Sequence, residues 1–173
     1  MSATQVKPAT IVVGILTVPL LAGCGVKQDK PAAKTCQSEI RLDSKPEPLG
    51  SSKALSAEFK AAGNKEQPVS FGEVTRAAGW SDNWDTVIDV SSAMDDNWLN
   101  KMAETPPGTC WKGLPPRIGS DPASFGYYVF LKDRQVVQSV TWDTGYRVLE
   151  FRANERLTHE TMLNAKSGGL RTY

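Results

Sequence analysis

The sequence is poor in the residue that most often serves acid–base catalysis, since it contains one histidine in 173 residues. A Ser-His-Asp set needs histidine as its base, and a cysteine nucleophile needs a neighbouring histidine or cation to become a thiolate. His159 lies in a polar segment near the C-terminus, where a solvated side chain is the favoured interpretation. We therefore predict that the chain is not an enzyme.

An excess of charge of either sign is also missing. The chain has 20 Lys and Arg against 19 Asp and Glu, so its charge does not favour nucleic-acid binding. Its three cysteines and one histidine have no spacing typical of a metal site. Gly168 and Gly169 lie at the terminus without a following helix, so they do not form a phosphate-binding loop. No metal, soluble cofactor or nucleic-acid partner is predicted.

The most apolar segment is too short to cross a membrane. It covers residues 9–22, about 14 residues, whereas a spanning helix needs about 20. Lys7 precedes it and small residues end it, which is the organisation of a secretory signal peptide. The segment closes with Leu21-Ala22-Gly23-Cys24, which resembles the lipobox of bacterial lipoprotein precursors. An ordinary signal peptide with a chance cysteine and an uncleaved anchor are the alternatives.

The lipoprotein resemblance implies that Cys24 acquires a diacylglycerol thioether and that residues 1–23 are removed. Two buried acyl chains, at about 0.8 kcal/mol per CH2, hold a protein stably on a membrane. The covalent lipid is the only prosthetic group expected. Gly25, and not aspartate, follows the cysteine, which implies outer-membrane sorting in a Gram-negative host. In a Gram-positive host the anchor implies the outer face of the cell membrane.

The other two cysteines, Cys36 and Cys110, form an even pair in a translocated chain, which favours a disulfide over two free thiols. The bond would close a loop of about 75 residues and stabilise the fold by about 4 kcal/mol on the chain-entropy model. It would also attach the N-terminal segment to the body of the domain.

The mature chain is predicted to be a tether followed by one globular domain. Residues 24–68 are rich in Lys, Ser, Ala, Pro and Gln, a composition typical of a flexible linker. Within them, residues 39–42 favour a short strand, and residues 53–62 favour a helix that ends at Gly63. The globular domain is expected over residues 69–173.

Two helix starts are indicated inside the domain. Ser70 and Glu73 match a capping box, and Gly79 is a natural end for the helix that follows. Asp95 can cap a second helix, and its charge is favourable at that end. The apolar stripe of this second helix comprises Trp98, Leu99 and Met102.

A strand and a long loop are predicted around that second helix. Residues 84–90 alternate as a strand, with Trp84 and Ile88 expected on one face and Val87 on the other. Residues 105–122 contain five prolines and three glycines, so they are expected to be a loop. A loop of this length is unusual unless it is functional or fixed in place, and a disulfide at Cys110 would fix it.

Three strands are expected in the second half of the domain, at residues 125–131, 136–142 and 146–151. Short turns join them, which favours an antiparallel meander. Residues 158–166 favour a closing helix, with a last strand as the alternative. The predicted fold class is therefore α+β: a small antiparallel sheet with two or three short helices packed on one face, after a flexible N-terminal tether.

A second resemblance concerns the order of these elements. The residues Phe71-x-Glu73-Val74-Thr75 followed by Trp84-Asp85-x-Val87 resemble a group of small uncharacterised bacterial lipoproteins, in which a helix leads into a Trp-Asp strand. The resemblance covers about half of the mature chain and implies the order of the elements alone. The long insert around Cys110 departs from that group.

Two sets of side chains are candidates for a site. Aspartates around the first domain strand could serve a glycosidase or hold calcium, although helix capping and solvation at strand ends are favoured; they are Asp82, Asp85, Asp89, Asp95 and Asp96. Most tryptophans are expected in the core. Trp111 is the exception, because it lies beside Cys110 in the loop rich in Pro and Gly, and it is predicted to be an exposed contact residue.

These features favour a membrane-anchored, non-enzymatic interaction module that binds another envelope component or an extracellular protein. A cell-wall or glycan hydrolase that uses the aspartates is one alternative. A structural, protective or exclusion role in the envelope is another. The sequence does not choose among specific partners.

Overall fold

In the computed structural model of the protein, the described residues are 35–43, 46–91, 94–115, 125–143, 148–166 and 169–172. All of them fall within one compact unit. The helices are α1 (Ser52–Ala62), α2 (Phe71–Ala77) and α3 (Asp96–Ala103). The strands are β1 (Ser38–Arg41), β2 (Val69–Ser70), β3 (Thr86–Ser91), β4 (Thr109–Lys112), β5 (Phe125–Lys132), β6 (Gln135–Asp143), β7 (Leu149–Glu150), β8 (Arg156–Leu157), β9 (Met162–Lys166) and β10 (Gly169–Thr172). The fold is α+β, as predicted.

The central sheet has the strand order β6-β5-β3-β8, and its strands are antiparallel throughout. The predicted hairpin between β5 and β6 is confirmed. Asp133 and Arg134 form its tip with φ of 49° and 64°, and two positive φ values are what a tight hairpin turn of matching twist requires. The residues of the two strands and of the turn between them were enough to predict this hairpin.

A second sheet, of order β2-β9-β10-β7, corrects two predictions. The segment expected to be the third strand of the meander contributes β7, which pairs parallel with β10 and not with β6. The closing helix at 158–166 is wrong and its alternative is confirmed, because β9 is a strand. Leu163 is buried while the neighbouring Met162 is 41% exposed, which is the two-residue alternation of a strand.

The central sheet separates two apolar cores. Val87, Tyr128 and Phe130 face one core, which α1 and α2 complete. Ile88 and Val129 face the other, where α3 supplies its own apolar side chains Leu99, Met102 and Ala103. The prediction placed the helices on one face of the sheet. This is correct for α1 and α2, whereas α3 packs on the opposite face. Trp84 joins the core of Val87, and not the face of Ile88 as the alternation suggested.

The sequence placed the start of the domain at Val69, but the domain begins earlier in the chain. Leu55 and Phe59 of α1 are 0% and 1% exposed and belong to the first core. β1 pairs in parallel with β4, so part of the predicted loop 105–122 is a strand. The short strand and the helix expected inside the linker are confirmed, but both are integral to the fold. The predicted lipidation site, Cys24, lies outside the described residues.

The disulfide between Cys36 and Cys110 is confirmed, with an S–S distance of 2.07 Å and a Cα–Cα distance of 5.5 Å. It lies at one end of the β1–β4 pair, where Glu39 is the register partner of Cys110. The bond therefore ties the first strand of the fold to the segment that follows α3.

Candidate functional site

A cleft of about 370 Å³ opens between the start of α3 and the segment 151–155 that joins β7 to β8. We call it the Trp98 cleft. It combines apolar side chains with carboxylates and one guanidinium; the lining residues are Asp89, Met94, Asp95, Trp98, Phe151, Arg152, Ala153, Asn154 and Glu155. Its volume lies in the range typical of small-ligand sites, about 300–1,000 Å³.

Trp98 is fixed in this cleft by hydrogen bonds at two points. Asp95 is the N-cap of α3, and its Oδ1 accepts a hydrogen bond from the Trp98 backbone N–H at 2.8 Å. The indole Nε1–H donates to Oδ1 of Asn154 at 2.9 Å. Asn154 has a φ of 59°, a left-handed conformation that Asn tolerates better than most residues. Trp98 is half-buried; the bond to Asp95 fixes its backbone, and the bond to Asn154 orients its indole.

Three carboxylates and one guanidinium are among the described residues that line the cleft with Trp98. Asp89, half-buried on β3, accepts a hydrogen bond from Trp142 Nε1 at 2.9 Å. Glu155 Oε2 accepts from the backbone N–H of Arg152 at 2.7 Å and from Thr172 Oγ1 at 2.6 Å. The Arg152 side chain is exposed. The cleft therefore carries more negative than positive charge, and its carboxylates are oriented by protein donors.

Trp111, predicted to be exposed, is instead 4% exposed and belongs to the second core. Its indole Nε1–H donates to Asn100 Oδ1 at 2.7 Å, and its backbone N–H donates to Asp96 Oδ1 at 3.0 Å. The prediction treated residues 105–122 as a loop, whereas residues 109–112 form β4, which pairs with β1 and packs against α3. Trp111 is a core residue and not a contact residue of the surface.

The predicted aspartate cluster is divided by the fold. Asp89 and Asp95 reach the Trp98 cleft, while Asp96 faces Trp111. Asp85 accepts a hydrogen bond from the backbone N–H of Asp133 in the β5–β6 turn, at 2.9 Å. Asp82 lies 3.9 Å from both Arg76 and His159. Within the part of the chain that the structure describes, no group of three His, Cys, Asp or Glu side chains could hold a metal ion.

His159 is not the solvated side chain that was expected. Its ring stacks on Trp84, with the ring centroids 3.7 Å apart, and its side chain is 23% exposed. Nε2 lies 2.8 Å from the carbonyl oxygen of Trp84 and must donate to it, since a carbonyl only accepts. The histidine therefore connects the segment after β8 to the core, away from the Trp98 cleft.

A second depression, of about 570 Å³, lies between the start of α1 and β6. Several of its polar groups bond within the fold: Glu47 accepts from the Ser52 backbone N–H at 2.9 Å, and Ser139 Oγ donates to the Leu42 carbonyl at 2.7 Å. Burial raises the pKa of the Tyr127 hydroxyl in its wall, with a smaller contribution from Asp43. This depression lies where Leu42, Asp43 and the start of α1 meet the edge strand β6, and its described lining includes no tryptophan.

Sequence reasoning assigned Trp98 to the apolar stripe of α3 and did not place it in a cleft. Leu99, Met102 and Ala103 make the buried side of α3, whereas Trp98 lies at its margin. A signal was present, because Trp98 is the third residue after the cap Asp95 and Leu99 already occupies the core position. Residues 151–155 form the opposite wall. Because Asn154 in this wall is 56 positions from Trp98 in the sequence, no local pattern could predict their contact.

No known protein family, no individual characterised protein and no solved structure matches this chain. None of the helices in the described ranges is long and apolar enough to cross a membrane.

Proposed function

We propose that the chain is a lipid-anchored protein of the bacterial envelope whose domain is a non-enzymatic binding module, with the Trp98 cleft as its recognition site. One observation supports this site above others. Of the five tryptophans, four are at most 5% exposed, namely Trp80, Trp84, Trp111 and Trp142. Trp98 alone presents part of its indole, and it does so in a concave site.

A tryptophan in this setting is suited to recognition. Tryptophan is enriched among the residues that dominate binding energy, which cluster in desolvated pockets. The hydrogen bond from the Trp98 indole to Asn154 orients the indole before any partner arrives, so less side-chain entropy is lost on binding. The cleft, at about 370 Å³, suits an anchoring side chain of a larger partner.

Capture from envelope extracts tests the binding role. We expect the wild-type chain, after crosslinking, to retain a defined partner that the Trp98→Ala variant loses. Met162→Ala is the matched control, because Met162 is the large hydrophobic side chain that the described fold exposes, on the second sheet and outside the cleft. Equal capture by the wild type and Trp98→Ala would argue against the cleft as the recognition site.

Lipid attachment is tested separately. Metabolic labelling with an alkyne fatty acid should mark the wild-type chain and not Cys24→Ala, and the variant should leave the membrane fraction. Labelling that persists in Cys24→Ala would show that the lipid is carried elsewhere or that the lipobox interpretation is wrong.

A glycan hydrolase is the second candidate, since Asp89, Asp95 and Glu155 line one cleft. Each of them already accepts a hydrogen bond from the protein, which accounts for its presence without catalysis. Turnover of peptidoglycan or of synthetic glycosides by the wild type, lost in Asp89→Asn, would favour this candidate over the binding module.

A further inference from the structure

We propose that the Trp98 cleft receives a basic side chain, lysine or arginine, of a protein partner. The inference rests on the binding function proposed above and names the chemistry of what is bound. It follows from three properties of the cleft: the hydrogen-bonding character of its polar groups, the shape of its apolar wall and its charge.

The polar groups on the walls of the cleft are mostly acceptors. An ionised carboxylate accepts hydrogen bonds and cannot donate them, and Asp89, Asp95 and Glu155 each have two oxygens. Met94 contributes a thioether sulfur that already accepts from the Ser91 backbone N–H at 3.3 Å. The indole N–H of Trp98 is used by Asn154. A ligand that fits these walls must therefore be rich in donors, as ammonium and guanidinium groups are.

The apolar wall suits the rest of a basic side chain. Met94, Trp98 and Phe151 can cover the methylene groups of a lysine or arginine stem. A cation held over the face of tryptophan is attracted by the ring, and tryptophan is the strongest of the aromatic side chains in this respect. The cleft therefore offers apolar contact for the stem and negative charge for its tip.

The charge of the cleft points the same way. Among the described lining residues, three carboxylates stand against the guanidinium of Arg152, which leaves an excess of negative charge. Arg152 is exposed at the edge of the cleft, where it competes with an incoming cation. An acidic partner would meet the three carboxylates, and among the described lining side chains the donors that a neutral sugar would need are those of Arg152 and the Asn154 amide. A basic side chain meets complementary charge.

The test uses the full-length lipidated chain in detergent micelles, with binding followed by the NMR signal of the Trp98 indole N–H. The probes are Nα-acetyl-lysine methylamide, the arginine analogue, and Nα-acetyl-norleucine methylamide as a neutral probe with a similar stem. We expect either basic probe to shift the signal and to bind about tenfold more tightly than the norleucine probe, with affinity falling as salt rises.

Conservative variants make the test specific. Asn caps a helix about as well as Asp, so Asp95→Asn keeps the α3 cap while removing charge, and Asp89→Asn keeps an acceptor for Trp142. Each should weaken binding of the lysine probe several-fold, while Arg152→Gln should strengthen it. Asp85→Asn, outside the cleft at the β5–β6 turn, is the matched control and should bind like the wild type.

Equal binding of the lysine and norleucine probes, or unchanged binding in both Asp→Asn variants, would overturn the inference. So would the absence of any shift with either basic probe. If the probes fail while capture of an envelope partner still depends on Trp98, the choice of a basic side chain is wrong and the binding function stands. If capture also fails to depend on Trp98, the recognition site itself is wrong.

Discussion

Trp111 is buried, whereas the sequence around it predicted an exposed side chain. Its indole packs in the second core and donates to Asn100, which also accepts from Thr105 Oγ1 at 2.8 Å. Asn100 in turn donates to the Thr109 carbonyl at 2.9 Å. The tryptophan therefore completes a buried polar network that closes the turn between α3 and β4.

Truncating Trp111 should damage the fold and leave the recognition site intact. We expect Trp111→Ala to lower the free energy of unfolding by about 3–5 kcal/mol, the usual cost of removing a large buried aromatic side chain. Urea denaturation measures this, with Met162→Ala as an exposed control that should stay within about 0.5 kcal/mol of the wild type. A loss below about 1 kcal/mol for Trp111→Ala would contradict the buried position.

The sequence predicted an exposed Trp111 and placed Trp98 in an apolar stripe. The error about Trp111 has a physical reason. Proline and glycine around Trp111 suggested a loop, but residues 109–112 form the strand β4, with which the distant strand β1 pairs. The partner of Trp111 in the β1–β4 pairing is Ile40, 71 positions earlier. The pairing of Cys36 with Cys110 was predictable because it follows from counting, and the environment of Trp111 was not because it follows from topology.

Gly126 of β5 lies in the central sheet at a position that leaves no room for a side chain. A Cβ built there would collide with the indole ring of Trp142 and with the carbonyl oxygen of Val90. Both obstacles belong to adjacent strands of the central sheet, so neither can move without disturbing the ladder. The glycine lets Trp142 lie across the sheet and reach Asp89 in the wall of the Trp98 cleft.

Gly126→Ala should therefore cost more than an ordinary glycine substitution. We expect a loss of about 3 kcal/mol or more in the free energy of unfolding, at the upper end for an overpacked core site. Gly79→Ala is the comparison: its φ of 73° is unfavourable for alanine, but no atom lies within 4 Å of the new Cβ. Its cost should be about 1–2 kcal/mol, and equal losses for the two variants would refute the steric argument.

The capping box of α2 gives the fold a dependence on pH. Glu73 accepts hydrogen bonds from the Ser70 backbone N–H at 2.8 Å and from its hydroxyl at 3.0 Å, and these bonds hold the pKa of the Glu73 carboxyl below its usual value. A carboxyl whose folded pKa is lowered stabilises the fold above its unfolded pKa. That contribution is lost as the pH falls through the lowered folded value.

Glu73→Gln keeps the pattern of a capping box and removes the titration. Between neutral pH and pH about 3, the melting temperature of the wild type should fall more steeply than that of the variant. Glu58→Gln, which removes one carboxylate from α1 outside any cap, is the control for net charge. Parallel pH profiles for wild type and Glu73→Gln would contradict the capping interpretation.

Elements specified by neighbouring residues were predictable from the sequence. Ser70 with Glu73, Asp95 before α3, and the β5–β6 turn all act within four residues, and all are found as expected. The parallel pairing of β7 with β10 was not predictable, because it joins segments that no local pattern connects. The Tyr128 hydroxyl donates to the Leu149 carbonyl at 2.9 Å, a contact that attaches this segment to the first core. The Trp98 cleft depends on the same segment, so its far wall could not be predicted either.

The disulfide acts on the entire fold, because it joins residues 74 positions apart. Replacing both cysteines, Cys36→Ser with Cys110→Ser, should lower the free energy of unfolding by about 4 kcal/mol through the larger entropy of the unfolded chain. Urea denaturation with and without reductant measures this. The wild type should become less stable in reductant and the double variant should not change; a reductant effect on the double variant would show another cause.

The position of Cys36 has a mechanical consequence. A pulling force applied to the chain preceding Cys36 is transmitted to Cys110 through the disulfide. Along the covalent chain it therefore bypasses β1. Residues 37–109, which include α1, α2, α3 and β3, then lie outside the path of the load. If the domain were stretched from that side until it unravelled, residues 37–109 would withhold roughly 250 Å of contour length, because the bond joins positions 74 apart. An intact bond therefore keeps these residues from adding length when the domain is pulled from that side.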